Sequence, residues 1–290
     1  MSNFKEIHFT SSDGLTLYAR DYAAQGGQAK CPVICIHGLT RNSSDFEELA
    51  PWIASMGRRV IAVDVRGRGK SAYDSNPAHY NPMVYSADIV KLTEQLGIAR
   101  AVFIGTSMGG MITMTMALRR LKLMVAAILN DVGPVISQTG LSRIAVYTGK
   151  GKTFSTWQEA TDYIMTINQS AFPNNTMEEW QKWARRAFRE NAQGQLELQY
   201  DPNIALALKN GKLKASSWIA KLAFRRLARN RPTLLIRGTL SDLIEPEQVD
   251  YMREVAPNMQ YAEVPNVGHA PMLMESEAKA AISEFLARVE

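Results

Sequence analysis

The chain has 290 residues, 46% of them hydrophobic, with a formal net charge of +5 at pH 7. This length suits one large α/β domain, or a core domain with a smaller insertion, and the composition supports a sizeable core. The mild positive charge comes without a nucleic-acid motif or interleaved aromatic residues, so we predict no nucleic-acid partner. No apolar run approaches the roughly 18 residues of a transmembrane helix, so we predict no membrane partner.

The two cysteines, Cys31 and Cys35, flank a predicted strand. Their Cα atoms would lie about 13 Å apart there, which is too far for a disulfide. The pair also lacks the further cysteines or histidines of a zinc site, so we predict no metal and two packing residues in a reducing compartment. The first six residues lack the apolar region of a signal peptide, and we therefore predict a cytoplasmic protein.

The first half of the chain predicts strands that alternate with helices. Residues 7–10 and 15–22 alternate apolar with polar side chains around Asp13-Gly14, which indicates a β-hairpin. Further apolar strands are predicted at 32–36, 59–65, 101–104 and 125–129, and helices after Ser43 or Ser44 and at 83–96. Apolar strands between helices are typical of a parallel sheet covered on both faces, so the predicted fold class is α/β.

The loop after the strand at 59–65 contains two misleading glycine patterns. The sequence GKS at 69–71 resembles the end of a P-loop, but Asp64 stands where its first glycine should be. The glycines in 67–72 imitate a dinucleotide fingerprint, but Pro77 is incompatible with the helix that this fingerprint needs. We therefore predict no cofactor, and we interpret Asp64 and Arg66 as an ion pair that holds the loop.

Residues 101–117 place a G-x-S-x-G pattern between a predicted strand and a predicted helix. A serine in that setting sits on a sharp, strained turn, here Ser107. A Cβ at Gly105 or Gly109 would collide with neighbouring backbone, which explains the two glycines. Ser107 is therefore the candidate nucleophile.

The pattern changes at Gly133-Pro134. From there to residue 231 we find helix-like segments and no strong strand, and this is too long for a loop. We predict a core formed by residues 1–133 and 232–290, with a helical cap, or lid, inserted at 134–231. Core elements resume as a strand at 233–238, a helix at 246–255, a strand at 261–264 and a helix at 275–289.

A serine hydroxyl needs a base, and the base needs a carboxylate to orient it. His269 follows the last predicted strand, and the carboxyl ends of parallel strands share one edge, so His269 is the predicted base. We predict Asp242 as the carboxylate, because the order Ser, Asp, His is that of the nucleophile-elbow hydrolases. Asp131 also follows a predicted strand and is the alternative.

The oxyanion of a tetrahedral intermediate needs backbone N–H donors. We predict that these come from Met108, directly after the nucleophile, and from Leu39, in the loop after His37-Gly38. Residues near these donors are candidates for contact with substrate, although His37 also fits a structural role in its loop. The candidates are His37, Gly38, Arg41, Asn42 and Val132.

Together these motifs resemble the α/β-hydrolase fold with a helical cap, across about 60% of the chain. The motifs are His37-Gly38, D-x-R-G-x-G-x-S at 64–71, G-x-S-x-G-G at 105–110, Asp242 and Gly268-His269. The resemblance implies a mostly parallel eight-stranded sheet with helices on both faces. It also implies a carboxylesterase, a lactonase, a carbon–carbon bond hydrolase of aromatic degradation or a cofactor-free haloperoxidase. Dehalogenases and epoxide hydrolases of this fold have Asp where this chain has Ser107, which argues against both.

Our leading hypothesis is a serine hydrolase that cleaves carboxylic esters of small to medium acyl substrates. Its alternative is a carbon–carbon bond hydrolase or enol-lactonase, with Arg41, Asn42, Arg185 or Arg186 binding a substrate carboxylate. A hypothesis of another class is a ligand-binding protein that uses this fold as a pocket without turnover. The predicted partner is a small acyl molecule, and the sequence leaves the oligomeric state open.

Overall fold

The structure is a computed structural model that describes residues 3–26, 30–206 and 216–289. In this part of the chain, the strands form one large and one small sheet. In chain order the strands are β1 (Lys5–Thr10), β2 (Thr16–Tyr22), β3 (Lys30–Ile36), β4 (Arg58–Asp64), β5 (Ala101–Thr106), β6 (Met124–Asn130), β7 (Thr153–Phe154), β8 (Phe188–Glu190), β9 (Leu196–Leu198), β10 (Thr233–Gly238) and β11 (Gln260–Val264).

The helices surround the large sheet and fill the segment between β6 and β10. They are α1 (Leu49–Ser55), α2 (Pro82–Gln95), α3 (Met108–Arg120), α4 (Gln138–Tyr147), α5 (Trp157–Asn168), α6 (Met177–Ala187), α7 (Trp218–Ala228), α8 (Pro246–Val255) and α9 (Ser276–Ala287). Among the described residues, none of these helices has the length and apolar character needed to span a bilayer.

The large sheet has eight strands in the order β1-β2-β4-β3-β5-β6-β10-β11. β2 pairs antiparallel with β1 and with β4, whereas every other neighbouring pair is parallel. The predicted mostly parallel, eight-stranded α/β sheet is therefore confirmed. The predicted strand and helix boundaries agree with the structure to within about two residues, except at the helix predicted to begin after Ser43 or Ser44. There a short 3₁₀ helix at Ser43–Phe46, capped by Asn42, precedes α1, which begins at Leu49.

Alternate side chains of the central strands enter two different hydrophobic cores, because successive residues of a strand point to opposite faces. Ile34 and Phe103 pack in the core that includes side chains of α2, α3 and α7. Val33 and Val102 pack in the core that includes side chains of α1 and α9. Both faces of the sheet are thus covered, which explains why these strands are apolar throughout.

We use the name cap segment for residues 134–231, the boundaries predicted from the sequence; residues 207–215 of it lie outside the described part of the chain. The prediction of an entirely helical insertion is wrong, because β7, β9 and β8 form a small antiparallel sheet within it. These strands have only two or three residues, too few for a periodic pattern to reveal. The cap segment has its own aromatic core, in which Trp183 lies edge-on to Phe172 and stacks on Trp180.

The predicted ion pair between Asp64 and Arg66 is also wrong. The buried Arg66 guanidinium instead binds three carboxylates, those of Asp13, Asp74 and Asp88. The Asp64 carboxylate accepts hydrogen bonds from the backbone N–H groups of Ser43 and Lys70, at 2.6 and 2.8 Å. Asp64 ends β4 and Arg66 lies two residues beyond it, so the loop has already turned the arginine toward α2 and the first hairpin.

Candidate active site

Ser107 sits on a sharp turn between the end of β5 and the first residue of α3. Its φ angle of 52° lies in the left-handed region that non-glycine residues rarely adopt. A Cβ on Gly105 would lie 2.4 Å from the backbone carbon of Gly109, and a Cβ on Gly109 would lie 2.0 Å from the carbonyl oxygen of Ile36. The turn therefore requires glycine at both positions, as the sequence predicts.

The structure brings Ser107 and His269 together although 162 residues separate them. The Nε2 atom of His269 lies 2.8 Å from Oγ of Ser107. The other ring nitrogen, Nδ1, lies 2.7 Å from a carboxylate oxygen of Asp131. All three residues follow strands of the large sheet, β5, β11 and β6, whose carboxyl ends meet at one edge.

The Asp131 carboxylate is fully buried, and each of its oxygens accepts a hydrogen bond besides the contact with His269. Oδ1 accepts from the backbone N–H of Gly238 at 3.1 Å, and Oδ2 accepts from the hydroxyl of Ser241 at 2.6 Å. A carboxylate with this many donors is fixed in position and can hold the His269 ring in one orientation.

The prediction that Asp242 holds His269 is corrected by this geometry. Asp242 forms a two-point ion pair with Arg143 of α4, with N–O distances of 2.5 and 2.7 Å. Burial opposes ionisation of Asp242, but the hydrogen bonds and charge of Arg143 hold its pKa below the ordinary value. Asp242 therefore joins the cap segment to the core.

Strand register explains why Asp131 is the carboxylate beside His269. Thr106 of β5 pairs with Asn130 of β6, so Ser107 and Asp131 leave the sheet side by side. The backbone N–H of Ser107 also donates to the carbonyl of Asn130 at 2.9 Å. This register depends on pairing between strands, which chain order alone does not reveal.

The two predicted oxyanion donors flank Ser107. Leu39 and Met108 both border the space beside the serine. Within residues 3–26, 30–206 and 216–289, neither backbone N–H donates a hydrogen bond to the protein. Both are therefore available to a bound oxygen, and Met108 is the first residue of α3, where the helix dipole favours negative charge.

His37 does not line the site, and its predicted contact with substrate is wrong. The ring is fully buried, Nε2 accepts a hydrogen bond from the backbone N–H of Val65 at 3.0 Å, and Nδ1 contacts the carbonyl oxygen of Gly38 at 2.7 Å. Burial lowers the pKa of His37 to about 4, so the ring is neutral at pH 7. His37 therefore has the structural role in its loop that the sequence indicates as the alternative.

Asn42 is likewise a structural residue rather than a contact for substrate. It is buried, its side-chain oxygen caps the short helix at Ser43–Phe46, and its side-chain nitrogen donates to the carbonyl of Arg186. It borders neither of the cavities described next.

Two cavities meet at Ser107. The His269 cavity has a volume of about 110 Å³ and a lining that combines apolar side chains with polar ones. These polar side chains include Arg41, Asp45, Tyr147, Tyr163, Asn168 and His269. The Met108 cavity has a volume of about 250 Å³ and a mostly apolar lining. Its lining includes Met108, Met111, Val132, Ile136, Leu141 and Ile204. Leu39, Ser107 and Ile144 border both cavities.

Gly38, Arg41 and Val132, three of the candidates for contact with substrate, lie at the walls of these cavities, and that contact stays a prediction. The Arg41 guanidinium already has partners within the protein. It donates two 2.7 Å hydrogen bonds to Asp45 and lies 4.4 Å from the centroid of the Trp183 ring.

The two other candidate arginines are also engaged, away from the cavity walls. Arg185 lies 3.7 Å from the centroid of the Trp157 ring. Arg186 pairs with Glu47 and Glu48, at 2.8 and 2.7 Å.

Sequence reasoning missed Ser241, which donates to Asp131, and Tyr147 and Tyr163, which line the His269 cavity. Ser241 had a signal, since it follows β10 at the same sheet edge. The two tyrosines had none, because their positions depend on how the cap segment packs over the sheet.

Comparison with protein families identifies the fold. The family model described as the alpha/beta hydrolase fold matches residues 32–275. A solved α/β hydrolase from Novosphingobium aromaticivorans is 38% identical, with a TM-score of 0.92 over the full length of both chains. The crystal structure of E-2-(acetamidomethylene)succinate hydrolase has a TM-score of 0.81 at 22% identity, covering 98% of this chain and 99% of that one, and shows the fold alone.

Two curated relatives have names that state an activity. The chain is 33% identical over 258 residues to a 3-hydroxybutyrate-oligomer hydrolase of Cupriavidus necator, and the match covers 87% of each chain. It is 28% identical over 251 residues to the sn-1-specific diacylglycerol lipase of Mus musculus, covering 86% of this chain and 78% of the lipase. Both relatives are hydrolases by name.

The two aspartates give a matched pair of variants for testing the site. We expect Asp131→Asn to slow covalent labelling of Ser107 by a fluorophosphonate on the order of 10⁴-fold, because His269 loses its orienting carboxylate. Asp242→Asn breaks a partly exposed ion pair with Arg143, which lies away from His269, and should slow labelling less than about tenfold. Mass spectrometry of the labelled protein over time measures both rates, and the reverse order would contradict the geometry.

Burial of His37 predicts a stability change with pH. The pKa of His37 falls from 6.5 to about 4 on folding, so the unfolded chain binds more protons between these pH values. The free energy of unfolding should therefore decrease as pH falls from about 6.5 to about 4, by up to about 3 kcal/mol from this group. Urea unfolding at several pH values measures it.

The controls for this measurement are two histidine variants. His37→Gln should flatten the pH dependence in that range, whereas the exposed His8→Gln variant keeps His37 and should keep the slope. Parallel curves for His37→Gln and the wild-type protein would contradict the assignment.

Proposed function

The chain belongs to the α/β hydrolase fold family, and we propose that it is a serine hydrolase that cleaves carboxylic esters. The proposal rests on one observation. His269 lies 2.8 Å from Ser107 Oγ and 2.7 Å from Asp131, and Ser107 borders two cavities. A serine held in this way can be deprotonated as it attacks a carbonyl carbon.

In the proposed reaction, Ser107 Oγ attacks the ester carbonyl and its proton moves to Nε2 of His269. The carbonyl π electrons move onto the oxygen, which the N–H groups of Leu39 and Met108 stabilise. When the tetrahedral intermediate collapses, the alcohol oxygen leaves with the proton from His269, and Ser107 carries the acyl group. Water, deprotonated by the same histidine, then releases the acid.

The two cavities suggest how an ester would lie across Ser107. The departing alcohol must take its proton from His269, so we place the alcohol in the His269 cavity, which this histidine lines. The Met108 cavity is bordered by both oxyanion residues, and its lining does not include His269. We therefore place the acyl chain there, where apolar side chains such as Met111 and Ile204 can bury it.

The named relatives favour particular esters as the first substrates to test. Because the relative that matches 87% of each chain is named a 3-hydroxybutyrate-oligomer hydrolase, we propose short oligomers of 3-hydroxy acids. In such an oligomer the departing alcohol carries polar groups, which can contact polar side chains of the His269 cavity such as Tyr147, Tyr163 and Asn168. The diacylglycerol lipase relative is also an ester hydrolase by name.

The carbon–carbon hydrolase alternative needs a cation for a dienoate carboxylate. In the described part of the chain, Arg41 is the arginine that lines a cavity beside Ser107, and Asp45 already binds its guanidinium. A carboxylate placed there would face the Asp45 charge, so the site favours esters over ring-fission products.

The central test is ester turnover beside the Ser107→Ala variant. We expect the wild-type protein to hydrolyse p-nitrophenyl esters and a 3-hydroxybutyrate dimer, and Ser107→Ala to lower kcat by at least about 10⁴-fold. The exposed Ser142→Ala of α4 is the matched control and should retain wild-type rates.

Three outcomes would oppose the proposal. Ester turnover that survives Ser107→Ala would exclude Ser107 as nucleophile. Turnover of ring-fission diketones alone would favour the carbon–carbon hydrolase. Binding of a ligand without turnover of any substrate would favour a ligand-binding protein.

The placement of acyl and alcohol groups predicts a crossed effect of two cavity-filling variants. Met111→Trp narrows the Met108 cavity. Lengthening the acyl chain by about two methylene groups should therefore lower kcat/KM about tenfold in this variant relative to the wild-type protein, and the preference among alcohols should not change. Leu198→Trp narrows the His269 cavity and should disfavour bulky alcohols only. Steady-state rates on one acyl series and one alcohol series measure both, and exchanged effects would reverse the placement.

A further inference from the structure

Arg68 is a buried arginine that contacts both predicted oxyanion residues. Its side chain is fully buried in the loop after β4. Nε donates to the carbonyl oxygen of Leu39 at 3.0 Å, and Nη2 donates to the Sδ atom of Met108 at 3.4 Å. The Arg68 guanidinium thus contacts both predicted oxyanion residues, Leu39 through its backbone and Met108 through its side chain.

The remaining contacts of Arg68 are also with neutral groups. Nη1 donates to the carbonyl oxygen of Arg66 at 2.7 Å and to the Tyr85 hydroxyl at 3.0 Å. The guanidinium lies 5.0 Å from the centroid of the Tyr85 ring and 5.6 Å from that of Tyr80. These contacts satisfy its donors but supply no full negative charge.

No carboxylate oxygen lies within 4.0 Å of Arg68 among residues 3–26, 30–206 and 216–289. Arg66, two residues earlier and equally buried, has three carboxylate partners. A buried cation without a counter-ion is costly to the folded state. The hydrogen bonds and the two tyrosine rings reduce this cost in part, and a negative charge that forms nearby reduces it further. A tetrahedral oxyanion between Leu39 and Met108 is such a charge.

We propose that Arg68 is a positioning residue for the oxyanion site, an inference that rests on the proposed ester hydrolysis. It holds the Leu39 loop and the Met108 side chain, and its unneutralised charge favours the negatively charged intermediate over the neutral ester. It borders neither cavity, so it acts through these residues and the electrostatic potential and does not touch the substrate. Electrostatic stabilisation of this kind lowers the barrier without tightening substrate binding.

The test compares Arg68→Gln and Arg68→Lys with the wild-type protein on one p-nitrophenyl ester. We expect Arg68→Gln to lower kcat about 10- to 100-fold while KM changes less than about threefold, and Arg68→Lys, which keeps the charge, to fall between. The Ki of a boronic acid, which forms an anionic tetrahedral adduct on Ser107, should rise in parallel with the loss of kcat. The Ki of the matching unreactive amide, which stays neutral, should remain the same.

Arg58→Gln is the matched control for loss of a buried arginine. Arg58 is also buried and donates to backbone carbonyls, but it begins β4 at the opposite end of the sheet. The Arg58→Gln substitution should lower the melting temperature without changing kcat or the boronate Ki of the folded protein. If Arg68→Gln does not fold, the test uses Arg68→Lys. Its Ki for the boronic acid should rise, whereas its Ki for the amide should remain the same.

Two results would overturn the proposal. A folded Arg68→Gln variant with wild-type kcat and boronate affinity would remove any role in the reaction. Equal weakening of the boronate and the amide, in Arg68→Gln or Arg68→Lys, would leave Arg68 a purely structural residue. Absence of Ser107-dependent ester turnover in the wild-type protein would instead remove the proposed function itself, so the two failures are distinguishable.

Discussion

The close backbone contact at the Ser107 turn is the constraint on which the site depends. The end of β5 touches the first turn of α3 at Gly105, and Gly109 of that turn touches the carbonyl of Ile36 at the end of β3. Neither contact leaves room for a Cβ. These two contacts therefore fix Ser107 in its strained conformation. They also hold the start of α3 against β3, the strand that leads to Leu39. Ser107 and the backbone N–H groups of Leu39 and Met108, the proposed nucleophile and oxyanion donors, are positioned by one piece of backbone packing.

Much of this arrangement could be predicted from the sequence, because local patterns determine it. Alternating hydrophobicity indicated the first hairpin, continuous apolar runs indicated the central strands, and the glycines around Ser107 indicated the turn. Parallel strands share a carboxyl edge, which was enough to pair Ser107 with His269 across 162 residues. The pairing of Ser107 with His269, which needs only the shared strand edge, was therefore predictable.

The incorrect predictions concern contacts that no local pattern specifies. Asp131 and Asp242 both follow strands, and only the register of β5 on β6 places Asp131 beside Ser107. Arg66 binds carboxylates that lie 8, 22 and 53 residues away in the chain, and Asp242 binds Arg143 of the cap segment, 99 residues away. The lining of the His269 cavity is also set by packing of the cap segment, which is where sequence reasoning was weakest. These interactions join segments far apart in sequence, so chain order carries little information about them.

The Asp131 carboxylate holds one nitrogen of the His269 ring while the other nitrogen faces Ser107. Proton NMR of the imidazole N–H groups tests it most directly, because a ring proton shared with a buried carboxylate is strongly deshielded. His79 also contacts a buried carboxylate, that of Asp74, so the His269 resonance is the one that remains in a His79→Gln variant. We expect this resonance in the wild-type protein, its loss in Asp131→Ala and its retention in Asp242→Ala. A resonance that survives Asp131→Ala and disappears in Asp242→Ala would contradict this account of the site.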